Sequence, residues 1–205
     1  MKTYNGAIVQ VIGVGGAGCN TVNYISQQQL QQVHLVACNS DIESLNRSHV
    51  EDKLYLELEG EANCSEHVYP EAGRKAVLNQ EELIKAKLLK ESCEIVFIVA
   101  GLGGATGTGA APEIARIAKE LGLLTIGVVT MPFSFEGERK QTIAEACIAA
   151  MRENTDTTIV LANDKLRQVY GNLTTGDAFR KIDDYIANAV RAISEIVTVR
   201  AEVNV

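Results

Sequence analysis

The 205-residue sequence lacks the features of several common classes of protein. Its net charge is −7 and no basic tract compensates, which argues against non-specific binding to nucleic acid or to anionic membranes. We expect no signal peptide, and the sequence contains no apolar run long enough to span a bilayer. Its five cysteines are widely scattered, without the spacing of a zinc site or of a disulfide framework. We therefore expect a cytoplasmic protein with free thiols, no direct membrane insertion and no metal-ligating residues.

The sequence also lacks an obvious acid/base constellation for catalysis. Its three histidines, His34, His49 and His67, are far apart, and each is more typical of a surface or packed position than of a catalytic one. The composition, 46% hydrophobic and 22% charged, is ordinary for a soluble globular protein. A chain of this length predicts one domain, or a large piece of one, that buries its own core.

Glycine, in contrast, is concentrated in two short segments, of which the richer is Gly101–Gly109, GLGGATGTG. The apolar run Ile95–Ala100 predicts a strand before it, and the pattern Ala110–Gly122 predicts a helix after it, with Pro112 in the first turn. Glycines at such a junction let backbone N–H groups approach a ligand, at the helix end that favours an anion. The segment therefore predicts a phosphate-binding loop, although not a P-loop, because no Gly-Lys-Ser/Thr follows. A flexible turn that binds nothing is the alternative.

The second glycine-rich segment is Gly13–Gly18, which reads G-x-G-x-x-G. It follows the apolar run Ala7–Ile12 and precedes a helical pattern, a second strand at Val33–Cys38 and then Asp41. This arrangement matches the dinucleotide-binding fingerprint, in which an acidic residue after the second strand contacts a ribose. An NAD(P)-binding oxidoreductase domain is therefore one interpretation, although a dehydrogenase needs only one such loop and this chain has two.

The order of predicted elements indicates the fold class. Strands that are apolar on both faces alternate with helical patterns, which predicts an α/β protein: a Rossmann-like, mostly parallel sheet with helices on both faces. Both glycine loops would then lie at the carboxyl edge of the sheet, on either side of one polyphosphate. The predicted strands after the first two are 54–58, 95–100, 123–130 and 157–161, and the predicted helices include 71–92, 110–122, 137–151 and 176–198.

Several segments together resemble the tubulin/FtsZ family. The glycine-rich stretch 101–109 is similar to that family's signature loop, and 11–20, 129–137, 161–166 and 176–179 are similar to other FtsZ segments in the same order. The resemblance covers nearly the whole chain. It implies the guanine-nucleotide-binding domain of a GTPase that binds GTP or GDP with Mg²⁺ and forms head-to-tail filaments of itself in cell division.

The resemblance also implies a role for individual residues, each of which has a plainer structural alternative. Asp183 and Asp184 would read the guanine edge or lie on a solvated helix face, and Phe179 would stack on the base or belong to the core. Glu136 would bind the ribose or begin a helix, and Asn163 would face the sugar or base or cap a short helix. The complete set implied to bind nucleotide is Gly15, Gly16, Ala17, Asn20, Gly103, Gly104, Ala105, Thr106, Gly107, Thr108, Pro132, Glu136, Lys140, Asn163, Phe179, Asp183 and Asp184.

The chain departs from the family pattern at several of these positions. Ala105 replaces a glycine, which is tolerable only if its φ is negative. Lys140 replaces an arginine, with Arg139 beside it. The segment Gly60–Pro70 is acidic where the family is glycine-rich and senses the γ-phosphate, so a non-hydrolysing paralogue is a further alternative.

The largest departure is at the end of the chain. The resemblance implies a nucleotide-binding domain over residues 1–175, then a long central helix and the start of a loop over 176–205, with the C-terminal domain absent. The acidic loop expected after Val205 would complete the next subunit's site, so no catalytic residue is assigned within this chain. We expect these residues alone to bind nucleotide, to hydrolyse it poorly, and to cap a filament without propagating it.

Overall fold

A computed structural model describes residues 9–28, 30, 32–58, 69–90, 93–171 and 174–198. Strands and helices alternate along these residues. The strands are β1 (Val9–Val14), β2 (Val33–Asn39), β3 (Asp52–Tyr55), β4 (Ile95–Gly101), β5 (Leu124–Met131) and β6 (Thr157–Ala162). The helices are α1 (Gly15–Ser26), α2 (Ile42–Arg47), α3 (Pro70–Asn79), α4 (Glu81–Leu88), α5 (Ala105–Glu120), α6 (Glu138–Asn154), α7 (Asn163–Tyr170) and α8 (Thr175–Thr198), with a 3₁₀ turn at Ser134–Glu136.

The six strands form one parallel sheet in the order β3-β2-β1-β4-β5-β6. Strand β1 lies between β2 and β4, with Gly13 paired to Ala37 on one side and to Val99 on the other. The chain therefore changes direction across the sheet between β1 and β4. In open parallel sheets, ligands bind in the crevice beyond the carboxyl ends of the strands at such a reversal.

Helices cover both faces of the sheet, as the sequence predicts. One buried cluster joins the sheet to α3, α4, α5 and α6, through residues such as Ala76, Ile84 and Ile114. A second cluster on the opposite face joins it to α1, α2 and α8, through residues such as Val22 and Ile186. The predicted fold class, a Rossmann-like α/β sheet, is confirmed.

The helix after the signature loop begins earlier than the sequence suggests. Helix α5 starts at Ala105 rather than near 110, so Gly107 and Gly109 are helical and not part of the loop. Packing explains both glycines, because a Cβ on Gly107 would overlap the carbonyl of Gly101 and one on Gly109 would overlap the carbonyl of Pro70. What reads as a long flexible loop is therefore a short loop followed by a helix pressed against its neighbours.

Pro112 lies inside α5 and not in its first turn, so that prediction is wrong. A proline at this position cannot donate to the carbonyl four residues earlier, which belongs to Thr108. The thiol of Cys147 on α6 donates to that carbonyl instead, with Sγ and the oxygen 3.2 Å apart. The interior proline is thus tolerated because a neighbouring helix replaces the missing hydrogen bond.

Two other elements differ from the sequence prediction. Strand β3 covers 52–55 rather than 54–58, and the single helix expected over 71–92 is two helices, α3 and α4. The break falls at Gln80, which leaves the helical conformation at φ −116° and ψ 21°. Ala76 and Val77 of α3 and Ile84 and Leu88 of α4 belong to one buried cluster with α5, so apolar residues recur at helical spacing on both sides of the break and do not reveal it.

Candidate functional site

A cleft of about 380 Å³ opens at the reversal between β1 and β4. It runs from the first turn of α1 to the first half of α8, across the ends of β4 and β5. Its lining combines small and apolar groups with a few polar side chains, which is the usual composition of a ligand site. The lining residues are Gly16, Ala17, Gly18, Asn20, Thr21, Val99, Ala100, Gly101, Thr130, Phe179, Ile182, Asp183 and Ile186.

Two helix N-termini meet at one end of this cleft. Helix α1 begins at Gly15 and α5 begins at Ala105, and a Cβ added to Gly15 would lie 3.0 Å from the backbone nitrogen of Gly107. Neither helix has a side-chain hydrogen bond to its first-turn N–H groups. Unsatisfied N–H groups and the positive end of the helix dipole favour an anion at this point.

The described residues give no packing reason for Gly16 and Gly104, which stand at these two N-termini. A Cβ added to either would meet no atom of the described residues within 4 Å. Gly104 has φ −95° and ψ 168°, which any residue can adopt, and Gly16 has no positive φ. The other glycines of the two loops are explained by close packing or by a positive φ, as at Gly18 and Gly103. Open space at these two glycines is therefore available to a ligand.

The threonines of the signature loop occupy different environments. Thr106 is half-buried at the rim, with its Oγ1 2.6 Å from Oγ of Ser40. Thr108 is buried, and its Oγ1 accepts a hydrogen bond of 2.9 Å from the N–H of Gly103. The hydroxyl oxygen of Thr108 therefore holds the loop itself. Ser40 was not among the predicted site residues, although its position directly after β2 places it at the same edge of the sheet.

Ala105 has the backbone conformation that an alanine requires in place of glycine at this position. Gln32 is the one described non-glycine residue with a positive φ, at 58°, so the φ of Ala105 is not positive. A methyl group is therefore compatible with the backbone at this position of the signature loop.

The segment after β5 holds a second group of predicted residues. Glu136 accepts from the backbone N–H of Phe133 at 2.9 Å and from Nζ of Lys140 at 3.0 Å. Pro132 is buried, and its carbonyl accepts from Gln141 Nε2 at 2.7 Å. Lys140, rather than Arg139, thus lies beside Glu136.

Arg139 points elsewhere, with its guanidinium carbon 6.0 Å from the ring centre of Tyr69. This contact joins the start of α6 to the residue that precedes α3. The cation beside Glu136 is consequently an ammonium and not a planar guanidinium, so it offers a point charge rather than a bidentate fork.

Asn163 is the first residue of α7 and is 3% exposed. Its Oδ1 is buried and accepts no hydrogen bond from the described residues. It therefore does not cap the helix through that oxygen, which was the plainer alternative. A buried polar atom without a partner is costly, and a bound ligand that donates to it would remove the cost.

Aromatic side chains lie at the far end of the cleft. Phe179 on α8 is 44% exposed, which excludes the alternative of an ordinary core aromatic. Its ring meets the ring of Phe133 edge-on, with centroids 5.6 Å apart, and Phe133 in turn stacks on Phe135 at 4.9 Å. Phe133 and Phe135 were not predicted, and the signal for them is the Phe-Ser-Phe sequence directly after β5.

The two adjacent carboxylates of α8 are separated by the structure. Asp183 lines the cleft and accepts from Thr21 Oγ1 at 2.6 Å. Burial raises the pKa of Asp183, Thr21 lowers it and the nearby Asp184 raises it further. Asp184 does not line the cleft; it accepts from the hydroxyl of Tyr24 and lies 3.4 Å from Nζ of Lys181.

Asp41, the acidic residue of the dinucleotide fingerprint, has a structural role. It is the N-cap of α2, and its Oδ1 accepts from the N–H groups of Glu43 and Ser44. His34 is likewise occupied, with its Nε2 2.9 Å from Oδ2 of Asp52. Neither residue contributes to the lining of the cleft.

Several further expectations concern groups outside the cleft. The described residues contain no cluster of three or more His, Cys, Asp or Glu side chains that could hold a metal ion. Cys19, Cys38, Cys93 and Cys147 are free thiols. The acidic segment Gly60–Pro70 replaces the family's γ-phosphate-sensing loop, and its residues 60–68, which include Glu61, Cys64, Glu66 and His67, lie outside the described residues. Of the helices in the described ranges, none combines the length and apolarity needed to cross a membrane.

Comparison with known proteins places this geometry in a family. Residues 8–171 match the model for the tubulin/FtsZ family, GTPase domain. The chain is 41% identical over 197 residues to the cell division protein FtsZ of Porphyromonas gingivalis, covering 96% of this chain and 43% of that protein. The chain therefore spans less than half the length of that relative.

Solved structures give the same result. An empty FtsZ dimer from M. jannaschii matches with a TM-score of 0.87 and 34% identity, over 97% of this chain and 57% of that one. CetZ2 from Haloferax volcanii, in a GTPγS-bound protofilament, shares the fold with a TM-score of 0.79 and 21% identity, over 95% of this chain and 60% of that one. The chain belongs to the tubulin/FtsZ family.

Proposed function

We propose that these residues bind a guanine nucleotide in the cleft between α1, α5 and α8. The observation that carries the proposal is the pair of open glycines, Gly16 and Gly104, at two helix N-termini without side-chain caps. Two converging sets of N–H groups suit a di- or triphosphate better than a single phosphate. Ala17 and Asn20 line the cleft, and Gly15, Gly103, Ala105 and Gly107 lie beside the two open glycines at the starts of α1 and α5, which supports the same assignment.

The other end of the cleft supports a purine with donors on its edge. Asp183 is the one carboxylate among the described lining residues, and an ionised carboxylate accepts hydrogen bonds only. Guanine offers two adjacent donors, N1–H and the 2-amino group, whereas adenine does not. The exposed ring of Phe179 is available for stacking, and Asn163 and Glu136 are the candidate contacts to the sugar.

Asp184 has a different role in this proposal. Its carboxylate is engaged by Tyr24 and Lys181 outside the cleft. We therefore assign base recognition to Asp183 alone, and we assign Asp184 to the contact between α1 and α8. The predicted division into a nucleotide-binding domain over 1–175 and a central helix over 176–205 stays a prediction.

We further propose that the protein is a GTPase that assembles head to tail in cell division, with nucleotide at each junction. The relatives support this by name: a cell division protein, an FtsZ dimer and a GTPγS-bound protofilament. The 205 residues alone are expected to hydrolyse GTP slowly, because the one carboxylate among the described lining residues lies at the base end. Mg²⁺ would be coordinated by the phosphates of the nucleotide, and we propose no set of protein ligands for it.

The alternative of an NAD(P)-binding oxidoreductase has less support. It depended on Asp41 as the ribose-binding acid, and that carboxylate caps α2. The alternative of a non-hydrolysing paralogue rests on the acidic segment after β3, most of which lies outside the described residues.

Two glycine substitutions test the proposal. Gly16→Ala and Gly104→Ala each add one methyl group to space that the described residues leave open, so the ligand-free protein should keep its melting temperature. The methyl groups would enter the space proposed for the phosphates, and we expect GDP affinity measured by calorimetry to fall roughly tenfold or more in each variant.

Gly122→Ala is the matched control. Gly122 follows α5 with φ +77°, so alanine there is strained and should cost about 1 kcal/mol of stability. Gly122 lies at the opposite end of α5 from Gly104, and GDP affinity should not change. Undiminished GDP binding by both Gly16→Ala and Gly104→Ala would contradict the proposed site.

A further inference from the structure

Adjacent acidic residues on α8 cannot both face the cleft. Successive residues of an α-helix point about 100° apart around its axis. Asp183 lines the cleft, and Asp184 points to the flank, where it meets Tyr24 and Lys181. The rotation of α8 about its own axis therefore decides which carboxylate is presented to a ligand.

Apolar packing against α1 fixes that rotation, and α1 also donates one hydrogen bond to each carboxylate. Thr21 and Tyr24 are one turn apart on α1; the first bonds Asp183 and the second bonds Asp184. Beneath these bonds the helices pack through Val22, Ile25 and Ile186 in one buried cluster. Gly16, one of the two open glycines, lies in the first turn of the same helix, so the position of α1 bears on both ends of the cleft.

Thr21 has the environment of a residue that orients its partner. It is 2% exposed, and its Oγ1 lies 2.6 Å from Oδ1 of Asp183 and 3.2 Å from the carbonyl of Ala17. A hydroxyl has one proton, and the shorter distance indicates that Asp183 receives it. No hydrogen bond from the described residues reaches Oδ2 of Asp183, so that oxygen is left for the cleft.

We propose that Thr21 is a positioning residue for base recognition: its hydroxyl holds Asp183 in the orientation that accepts the two donors of guanine. The inference rests on the proposed function. Removing the hydroxyl frees a half-buried carboxylate, and burial then favours its neutral form. A neutral carboxylic acid offers an O–H donor where the base also donates, so it cannot accept both guanine N–H groups.

The test compares GDP with inosine diphosphate, which lacks only the 2-amino group. For the parent protein we expect GDP to bind roughly ten- to a hundredfold more tightly, the effect of one hydrogen bond to a charged group. Thr21→Val keeps the shape of the side chain without the hydroxyl. We expect the ratio of the affinity for GDP to the affinity for inosine diphosphate, the GDP/IDP ratio, to fall close to one. Thr21→Ser restores the hydroxyl, and the ratio should recover.

Tyr24→Phe is the matched control, since it removes only the hydroxyl that bonds Asp184. It should leave the GDP/IDP ratio unchanged, whatever it does to the melting temperature. A ratio in Thr21→Val equal to that of the parent would overturn the inference, as would an equal loss in Tyr24→Phe. Failure of the parent protein to bind GDP at all would instead contradict the proposed function.

Discussion

At the scale of single residues, the ionised form of Asp183 lowers the stability of the ligand-free fold but is the form that guanine binding requires. Burial holds the pKa of this carboxyl above its usual value, with Asp184 adding to the effect, although the hydrogen bond from Thr21 opposes it. The ionised form is therefore disfavoured in the ligand-free fold. The same ionised form is what a base with two donors requires. Groups in binding sites often carry such a cost, which disappears when the ligand is bound.

Asp183→Asn should therefore raise the melting temperature of the ligand-free protein at neutral pH and weaken GDP binding. The stability gain should be present at pH 7 and should shrink as the pH falls through the raised pKa of Asp183, because the parent carboxyl then becomes neutral as well. Calorimetry with GDP at pH 7 should show roughly a tenfold loss of affinity. Asp184→Asn is the control, and GDP affinity close to that of the parent is expected for it.

A loss of affinity confined to Asp184→Asn would contradict the assignment of base recognition to Asp183. Equal losses in the two variants would contradict it as well, because only Asp183 lines the cleft.

The sequence predicts much of the site at this scale but not its details. The positions of Gly16 and Gly104 follow from the glycine pattern, since a strand, a glycine-rich turn and a helix leave few other arrangements. The difference between Asp183 and Asp184 could not be predicted, because it depends on how α8 is rotated against α1. The roles of Ser40 and Phe133 depend in the same way on contacts between segments distant in sequence.

At the scale of secondary-structure elements, one carboxylate fastens α4 to the edge of the sheet. Asp52 opens β3, and its side chain is 8% exposed. It lies 2.9 Å from His34 on β2 and 2.8 Å from Lys90 just after α4, and it also bonds Lys87 on α4. Burial opposes the ionised form, but these three partners prevail and lower the pKa of Asp52 from 3.8 to about 2.

Asp52→Asn should lower the free energy of unfolding by about 2 kcal/mol at neutral pH. Since the pKa is lowered in the folded state, this contribution is present above pH 3.8 and is lost as the pH falls toward about 2. Urea unfolding of parent and variant at pH 7 and again near pH 3 measures both effects.

Glu82→Gln is the control for Asp52→Asn. Its carboxylate also pairs with a lysine, Lys85 at 2.9 Å, but its side chain is 88% exposed. Exposed pairs contribute little, so its stability should match that of the parent at both pH values. A difference between parent and Asp52→Asn that is as large at pH 3 as at pH 7 would show that the lost contribution is not ionic.

The elements themselves were predictable where apolar periodicity is strong and less so at their ends. Strands β1 and β4 follow from continuous apolar runs, which are typical of a parallel sheet covered on both faces. The start of α5 was missed because glycine within a helix is normally unfavourable, and only the close approach of α3 shows why it is used here. The short helix α2 follows from the cap at Asp41, which the dinucleotide fingerprint had assigned to another role.

At the scale of the whole molecule, the two ends of the cleft differ in charge. The phosphate end is formed by backbone N–H groups and glycine, and the one carboxylate of the described lining lies at the other end. An attacking water at the phosphate end would therefore find no general base among those residues. This arrangement suits a site that binds nucleotide by itself and is completed for hydrolysis by another surface.

We therefore expect slow GTP hydrolysis by these 205 residues. Phosphate release per molecule should stay low, because the described lining offers an attacking water no general base at the phosphate end. GDP binding measured on the same preparation shows that the site is intact. Rapid turnover by dilute protein would contradict the proposal, since it would mean that a single copy holds a complete catalytic site.

The identity of the nucleotide that co-purifies with the protein is the sharpest test of guanine-nucleotide binding. The nucleotide is released by acid and separated by ion exchange beside standards of GDP, GTP, ADP, ATP and NAD. We expect GDP or GTP from the parent protein, and less of either from Gly104→Ala. Release of NAD or of an adenine nucleotide would contradict guanine recognition by Asp183. Release of NAD would also favour the dinucleotide-binding interpretation.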